Sequence, residues 1–403
     1  MPLYGRALPD FPWDSLAPAK TRAAAHPGGI VDLSVGTPVD PTPAVAQDAL
    51  RAAADAPGYP LTVGTLALRE AVVAWFARRR GAPGLSTDGV LPTLGSKEMV
   101  ALLPAFLGLG EGDVVLHPRA AYPTYDVGAR LAGATPVAVD ADPATWPDRA
   151  RLVWLNSPGN PDGHVLSADQ LAAVVAWARE RGAVVASDEC YAELPWAQPW
   201  ATGGVPSLLD PRVSGGDHGG LLVLYSLSKQ SNLAGYRAAF VAGDPAIVKP
   251  LTEVRKHSGM IMPAPVQAAM AAVLADDAHV AAQRERYRAR REALLAAVRG
   301  AGLELDPASE AGLYLWVRAA GRPEVGSWDL VDALAHRGLL VAPGTFYGGA
   351  GEGYVRIALT ATDERIATAV RRLRDGGPLA SGRAALPGGR RPAELGLRRR
   401  PPV

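Results

Sequence analysis

The sequence predicts an α/β protein, in which a mostly parallel sheet flanked by helices is followed by a smaller α+β part. Two observations predict it. Short apolar runs of strand length alternate with helical patterns over the first two thirds of the chain, as a sheet built from βαβ units requires. Near Asp276 that register changes, and a long charged helix introduces a shorter set of strands and helices. The 403 residues can bury one large core or two smaller ones, and 48% hydrophobic with 20% charged residues is ordinary for a chain that folds without staples.

The opening, MPLYGRALPDFPWDSLAPAK, is rich in proline and aromatics and reads as an ordered arm or lid. Helical apolar spacing runs from Ala44 to Ala54 and from Thr65 to Arg80, and Ser96 to Leu107 reads as a third helix. The runs DVVLHP, TPVAVD, RLVWLN, AVVASDE, LLVLYSLS and AAFVAGD follow as strands, with helices near Tyr125 to Ala132 and from Ala168 to Arg181. Residues 278 to 300 form a long arginine-rich amphipathic helix whose charges read as a solvated face. After it come GLYLWVR, a helix from Ser327 to Arg337, GLLVAPG, YVRIALT and a helix from Asp363 to Arg374. The last stretch, GGPLASGRAALPGGRRPAELGLRRRPPV, has too little apolar periodicity to pack and reads as a disordered basic tail. The expected division is an arm and part of the small domain over 1–43, a large domain over 44–275, the small domain over 276–375 and the tail over 376–403.

A net charge of +1 gives no whole-surface attraction to nucleic acid or to an anionic membrane, so any anion must be bound locally. One cysteine, Cys190, excludes an internal disulfide framework and a multi-cysteine zinc site, and the seven histidines lack metal-ligand spacing. No signal core and no apolar stretch of about 18 residues is present. A cytoplasmic protein without a metal is expected. Only five of the 41 basic residues are lysine, namely Lys20, Lys97, Lys229, Lys249 and Lys256. Against such an arginine bias, a retained lysine points to a need for its amine, which a guanidinium cannot imitate.

Five short motifs carry the candidate chemistry, and each alone also has a bland reading. GSKE, residues 95 to 98, lies where a loop gives way to a helix, so its N–H groups suit a phosphate or merely start a helix. AYPTY, with Tyr122 and Tyr125, offers a ring face or core aromatics. LNSPGNPDG, residues 155 to 163, ends a strand in a turn that its composition alone would explain. SDECYAEL places Asp188 at a strand end, where open α/β sheets bind ligands, with Tyr191 three residues on and Cys190 as a small buried filler between. SLSKQSNLAGYR puts Lys229 in a loop of serines, again at a strand end, with Arg237 eight residues later.

Read together and in this order, the S-x-x-K…R, N-P-x-G and D-x-x-Y blocks resemble the fold-type I pyridoxal-phosphate enzymes of the aspartate aminotransferase family, over about residues 30 to 375. The resemblance implies an aspartate-aminotransferase-like fold and pyridoxal 5'-phosphate as cofactor. It implies Lys229 as the Schiff-base lysine, Asp188 as partner of the pyridinium nitrogen, Asn160 and Tyr191 on the ring hydroxyl, and Tyr122 stacked on the ring. Ser96, Lys97 through its backbone N–H, Ser226, Ser228 and Arg237 would surround the phosphate, and Arg356, in YVRIALT, would clamp the substrate α-carboxylate. Gly36 resembles the glycine that lets backbone approach the substrate, and Tyr59, in GYPLTVG, the tyrosine that reaches the phosphate of a neighbouring subunit. These residue types suit the chemistry. An amine exchange needs a lysine that forms and releases an imine and shuttles a proton, a carboxylate that keeps the ring nitrogen protonated, and an arginine that does not titrate beside a phosphate. Lys97 is the rival amine.

The fold also serves decarboxylating acyl transferases, C–S lyases and effector domains of transcription regulators. Fewer than forty residues precede the resemblance, too few for the DNA-binding domain of such a regulator. LPDFPWDSLAPAK, IVDLSVGTPVDPTP, GYPLTVGT, AYPTYDVGARLAGA and RKHSGMIMPAPVQAAM resemble the succinyldiaminopimelate aminotransferase subgroup. That resemblance implies transfer of an amino group from N-succinyl-L,L-diaminopimelate to 2-oxoglutarate, both presenting an α-carboxylate to Arg356. An aspartate, aromatic or kynurenine aminotransferase and a C–S lyase stay open as alternatives. Lys256, His257 and Ser258 are candidates for the distal carboxylates, or a solvated turn. The arm with Phe11 and Trp13 would close over the substrate, and the role of Tyr59 implies a homodimer with shared sites.

Overall fold

The structure, a computed structural model, describes residues 8–379. A seven-stranded sheet holds the larger part together, in the spatial order Val90–Leu94, Ala238–Gly243, Leu221–Ser226, Val184–Asp188, Ala150–Asn156, Val114–Pro118 and Thr135–Val139. All pairs are parallel except those made by Ala238–Gly243, which runs antiparallel to both neighbours. This is the mostly parallel sheet that the alternating pattern predicts.

Because successive side chains of a strand point to opposite faces, the sheet feeds two cores. Leu116, Val153, Val185, Val223 and Phe240 face the helices Leu66–Arg79, Ala168–Arg181 and Ala264–Ala275. Their neighbours Val115, Leu152, Trp154, Ala186, Leu224 and Val241 face the helices Ser96–Phe106, Thr124–Ala132 and Pro245–His257. Strands buried on both faces read as continuous apolar runs, which is why LLVLY shows no alternation.

A third core forms between a four-stranded antiparallel sheet, ordered Ala342–Pro343, Tyr354–Ala358, Tyr314–Ala319 and Leu303–Leu305, and the helices Ala278–Gly300, Ser327–His336 and Asp363–Asp375. The N-terminal residues Leu16, Ala19, Ala23, Val31 and Leu33 join this core, and Val31–Asp32 pairs in parallel with Leu339–Leu340.

Two readings change. The helix 278–300 does not carry all its charges on a solvated face. Arg288 is exposed beside Glu285 and Glu292, but Arg290 is buried, with its fork on Asp40 at 2.6 and 2.8 Å and its Nε on Asp363 at 2.7 Å. Burial works against the Asp40 carboxylate, but the hydrogen bonds from Arg290 and Gln283 outweigh it and hold its pKa below the ordinary value. The tail also begins later than 376. Leu379 is buried in the third core, and its N–H donates to Ala301 O at 2.9 Å. The rest of the tail lies outside the described residues.

Candidate active site

The C-terminal ends of the parallel strands open into a cavity of about 1230 Å³, lined on its other sides by the arm and the small sheet. Its walls bring together Gly36, Ser96, Lys97, Tyr122, Asn160, Asp188, Tyr191, Ser226, Ser228, Lys229, Arg237 and Arg356, residues spread over more than 300 positions of sequence. Strand ends at a sheet's carboxyl edge are where such folds expose side chains and free N–H groups.

Lys229 rides on the short helix Leu227–Gln230 that follows the strand Leu221–Ser226. Its Nζ donates to Gly36 O at 2.5 Å. Asp188 ends the adjacent strand and is buried. The Tyr125 hydroxyl donates to its Oδ2 at 3.0 Å, and the Cys190 N–H to its Oδ1 at 3.2 Å. Burial, only partly offset by the Cys190 and Tyr125 hydrogen bonds and by Lys229, raises the Asp188 pKa. A buried carboxylate of this kind is most stable beside a cationic partner. The same burial and the neighbouring Asp188 push the Tyr125 phenol well up. Asn156 buttresses the strand ends by donating to Asp188 O at 2.9 Å and accepting from the Asn160 N–H at 2.8 Å.

An anion cradle adjoins Lys229. The helix Ser96–Phe106 starts at Gly95 without a side-chain cap, so its first N–H groups are left to a ligand. Gly95 has φ +83°, a conformation that favours glycine, and a Cβ there would displace the Arg237 guanidinium from the cradle. Arg237 itself takes a left-handed conformation, φ 55°, and donates to Ala234 O at 3.0 Å. The Ser226 and Ser228 hydroxyls lie 2.8 Å apart beside it. Two hydroxyls, a guanidinium and a helix N-terminus make a donor set suited to a phosphate dianion.

Arg356 lies at the other end, on the strand Tyr354–Ala358, and is 2% exposed. It donates to Asn160 Oδ1 at 2.8 Å and to Ser34 O at 2.7 Å. Its guanidinium stacks on Tyr314, 3.8 Å from the ring centroid, and lies 4.9 Å from that of Tyr347. Burial opposes its charge, yet the surrounding tyrosines Tyr314, Tyr347, Tyr191 and Tyr122 favour it and the pKa is raised. Arg356 Nε and the Tyr347 hydroxyl are buried without a partner among the described residues, donors suited to a bound carboxylate.

Not every expected residue meets the cavity. Tyr59 is fully exposed on its own chain. Lys256 pairs with Glu253 at 2.6 Å on the surface, and neither it, His257 nor Ser258 lines the cavity, because the helix Pro245–His257 ends with these side chains turned outward. The arm does line it, through Leu8 to Trp13, with Trp13 packed 5.2 Å from the Phe346 ring. Tyr314 and Tyr347 were not legible from sequence as site residues. The signal for Tyr314 was available only as an apolar strand, GLYLWVR, whose inward positions cannot be told from core.

A lysine at a strand end, a buried carboxylate beside it and a phosphate-type cradle fit pyridoxal phosphate, and with this sheet they define an enzyme of the fold-type I class. The comparisons narrow the class. Residues 29–373 match the family model of aminotransferase class I and II. The chain is 56% identical over 368 residues to the 4-dedimethylamino-4-oxo-anhydrotetracycline transaminase of Streptomyces rimosus, covering 91% of this chain and 99% of that one. It is 34% identical over 392 residues to the LL-diaminopimelate aminotransferase of Gloeobacter violaceus, covering 92% and 96%. A solved structure of a probable N-succinyldiaminopimelate aminotransferase from Thermus thermophilus superposes with a TM-score of 0.80 at 29% identity, covering 91% of this chain and all of the other. The chain belongs to the class I and II aminotransferases, and its cofactor is pyridoxal 5'-phosphate.

Proposed function

We propose that this aminotransferase exchanges the amino group of N-succinyl-L,L-diaminopimelate with 2-oxoglutarate, with Lys229 holding the cofactor and Arg356 the α-carboxylate. One observation carries the substrate reading: besides Lys229 and Arg237, which would serve the cofactor, and Arg119, paired with Asp140, one large cavity holds two further cations, one buried and one exposed. Arg356 lies buried at the inner end. Lys97 lies at the mouth, its ammonium 5.5 and 5.8 Å from the ring centroids of Phe11 and Tyr122, with no hydrogen bond or ion pair among the described residues. A long substrate with carboxylates at both ends would satisfy both. The relatives named for LL-diaminopimelate and N-succinyldiaminopimelate support the same reading.

Bound pyridoxal phosphate supplies an electron sink for bond cleavage at the substrate Cα. Asp188 would hold a proton on the ring nitrogen, its carboxylate kept in place by Tyr125 and the Cys190 N–H. Lys229 Nζ, on the wall from which the Cα proton would leave, would accept that proton and return it on the cofactor side, two atoms from Cα. Ser226, Ser228, Arg237 and the Ser96–Lys97 N–H groups would hold the phosphate, and Arg356 with Asn160 would fix the α-carboxylate so that the Cα–H bond faces Lys229. Both oxo acid and amino acid present that carboxylate, so one arginine serves both halves of the reaction.

A second reading is favoured by the 56% identity to a transaminase named for a tetracycline-type oxo substrate. The apolar wall of Phe11, Trp13 and Phe346 would accept such a ring ketone. A half-reaction screen separates the two. Holoenzyme mixed with one amino compound at a time is followed by loss of the cofactor's visible band, with ammonia and pyruvate assayed to expose lyase activity. Conversion by both glutamate and N-succinyl-L,L-diaminopimelate is expected. Conversion by glutamate alone, with the band regenerated by an anhydrotetracycline ketone, would move the assignment to the second reading. A cytosolic setting accords with the one thiol, Cys190, buried and unpaired. We further place a second copy of the chain over the exposed Tyr59, Leu61 and Leu66, with Tyr59 reaching the phosphate of the neighbouring site.

A further inference from the structure

Tyr314 occupies the centre of the site without a part in the scheme above. Its ring lies under the Arg356 guanidinium at 3.8 Å, and its hydroxyl is 3.3 Å from that of Tyr191. The two tyrosine rings meet edge to face at 5.8 Å. Its hydroxyl also explains Gly36. A Cβ at residue 36 would collide with the Tyr314 hydroxyl, and Gly36 O is the acceptor of Lys229 Nζ. One phenol therefore touches the substrate arginine, the tyrosine expected on the cofactor's ring oxygen, and the backbone that receives the lysine.

We propose that Tyr314 is a positioning residue with two separable actions. Its ring face holds Arg356 in orientation for the carboxylate, and its hydroxyl donates to Tyr191 so that the Tyr191 O–H is directed onto the cofactor's ring oxygen. The donor order follows from the proton count: each phenol carries one proton, so a Tyr191 that gives its own to the ring oxygen can only accept across the 3.3 Å contact with Tyr314, and the surroundings agree. Burial pushes the Tyr314 phenol up, but Arg356 and Lys229 outweigh it and make Tyr314 the more acidic of the pair, whereas burial and Tyr314 push Tyr191 well up. The stronger acid is the better donor, which leaves the Tyr191 proton for the next acceptor in the chain. The groups facing Tyr314 are Tyr191 and Cys190 from one loop, Lys229 from the next strand end, Arg356 from the paired strand, and the phenols of Tyr287 and Tyr347.

A hydrogen bond donated to the ring oxygen stabilises its anion and so lowers the pH at which the lysine-linked cofactor loses its imine proton. The inference rests on the roles proposed for Lys229 and Arg356, and is independent of which amino acid is the substrate. It is tested in holoenzyme with Tyr314→Phe and Tyr314→Leu. The pH titration of the visible band reads the hydroxyl, and the affinity for succinate, a carboxylate that cannot react, reads the ring. Tyr314→Phe should raise the titration midpoint by roughly half a pH unit and leave succinate binding within about twofold, since the stacked ring stays. Tyr314→Leu should raise the midpoint similarly and weaken succinate about tenfold. An unchanged midpoint in Tyr314→Phe overturns the donor role, and unchanged succinate affinity in Tyr314→Leu overturns the stacking role. If Lys229 is not the anchor, the band itself survives its replacement, a failure distinct from either.

Discussion

Arg356 can be buried as a cation because part of its fork is hydrogen-bonded and its faces rest on rings, with Nε left for a substrate carboxylate. Two N–H groups go to Asn160 and Ser34, and the guanidinium stacks on Tyr314. A lysine would keep the charge and lose both the planar fork and the stacking. Arg356→Lys should therefore raise KM for every amino donor by about 10–100-fold with a smaller effect on kcat, checked by steady-state kinetics with two donors of different length. An equal KM for wild type and variant would mean that the α-carboxylate is bound elsewhere. Lys229 was legible at this scale because the chain so rarely uses lysine. Tyr314 was not, because what makes it a site residue is contact with Gly36, Tyr191 and Arg356, none of them near it in sequence. Tyr125 was legible only as an aromatic near Tyr122; its partner, Asp188, is 63 residues away.

Among the elements, the long helix Ala278–Gly300 holds the segment that leads from Gly36 to the helix Ala44–Ala52, through Arg290 on Asp40. The pair is nearly dry, with side-chain exposures of 3% and 10%. Removing one partner leaves a buried charge, so Arg290→Ala should cost about 3–5 kcal/mol of stability, read by chemical denaturation. The pH sign follows from Asp40. Its folded pKa is depressed below 3.8, so its contribution is present above the unfolded value and is lost as pH falls through the folded one. The stability gap between wild type and Asp40→Asn should be full near neutrality and shrink below about pH 4. A gap that persists undiminished in acid would contradict the ion-pair account. Arginine-rich periodicity could not single out Arg290, since which charge turns inward depends on an aspartate 250 positions away. The strand Val90–Leu94 escaped for a different reason. Pro92 argues against a central strand, and the structure places it at the edge of the sheet, where proline is tolerated.

For the whole molecule, the order of strands and helices in the large part was legible, Val90–Leu94 apart, because each other strand there is an apolar run between turn residues. The small sheet was less so, since Leu303–Leu305 and Ala342–Pro343 are too short to show a period. No single chain can display what covers Tyr59. With Leu61 and Leu66 it leaves a tyrosine and two leucines in solvent, and a second copy is the proposed cover. Sedimentation should find a dimer, and Tyr59→Phe should weaken cofactor retention in dialysis while leaving the dimer intact. A fully active monomer would remove Tyr59 from the site.

The proposed anchor of the cofactor is Lys229 and not Lys97, the other lysine of the cavity. Borohydride reduction of holoenzyme fixes the linkage, and digestion followed by mass spectrometry locates it. The added mass is predicted on the peptide that contains Lys229, with the Lys97 peptide unmodified. The mass on Lys97, or a Lys229→Ala variant that keeps the visible band, would remove Lys229 as the anchor.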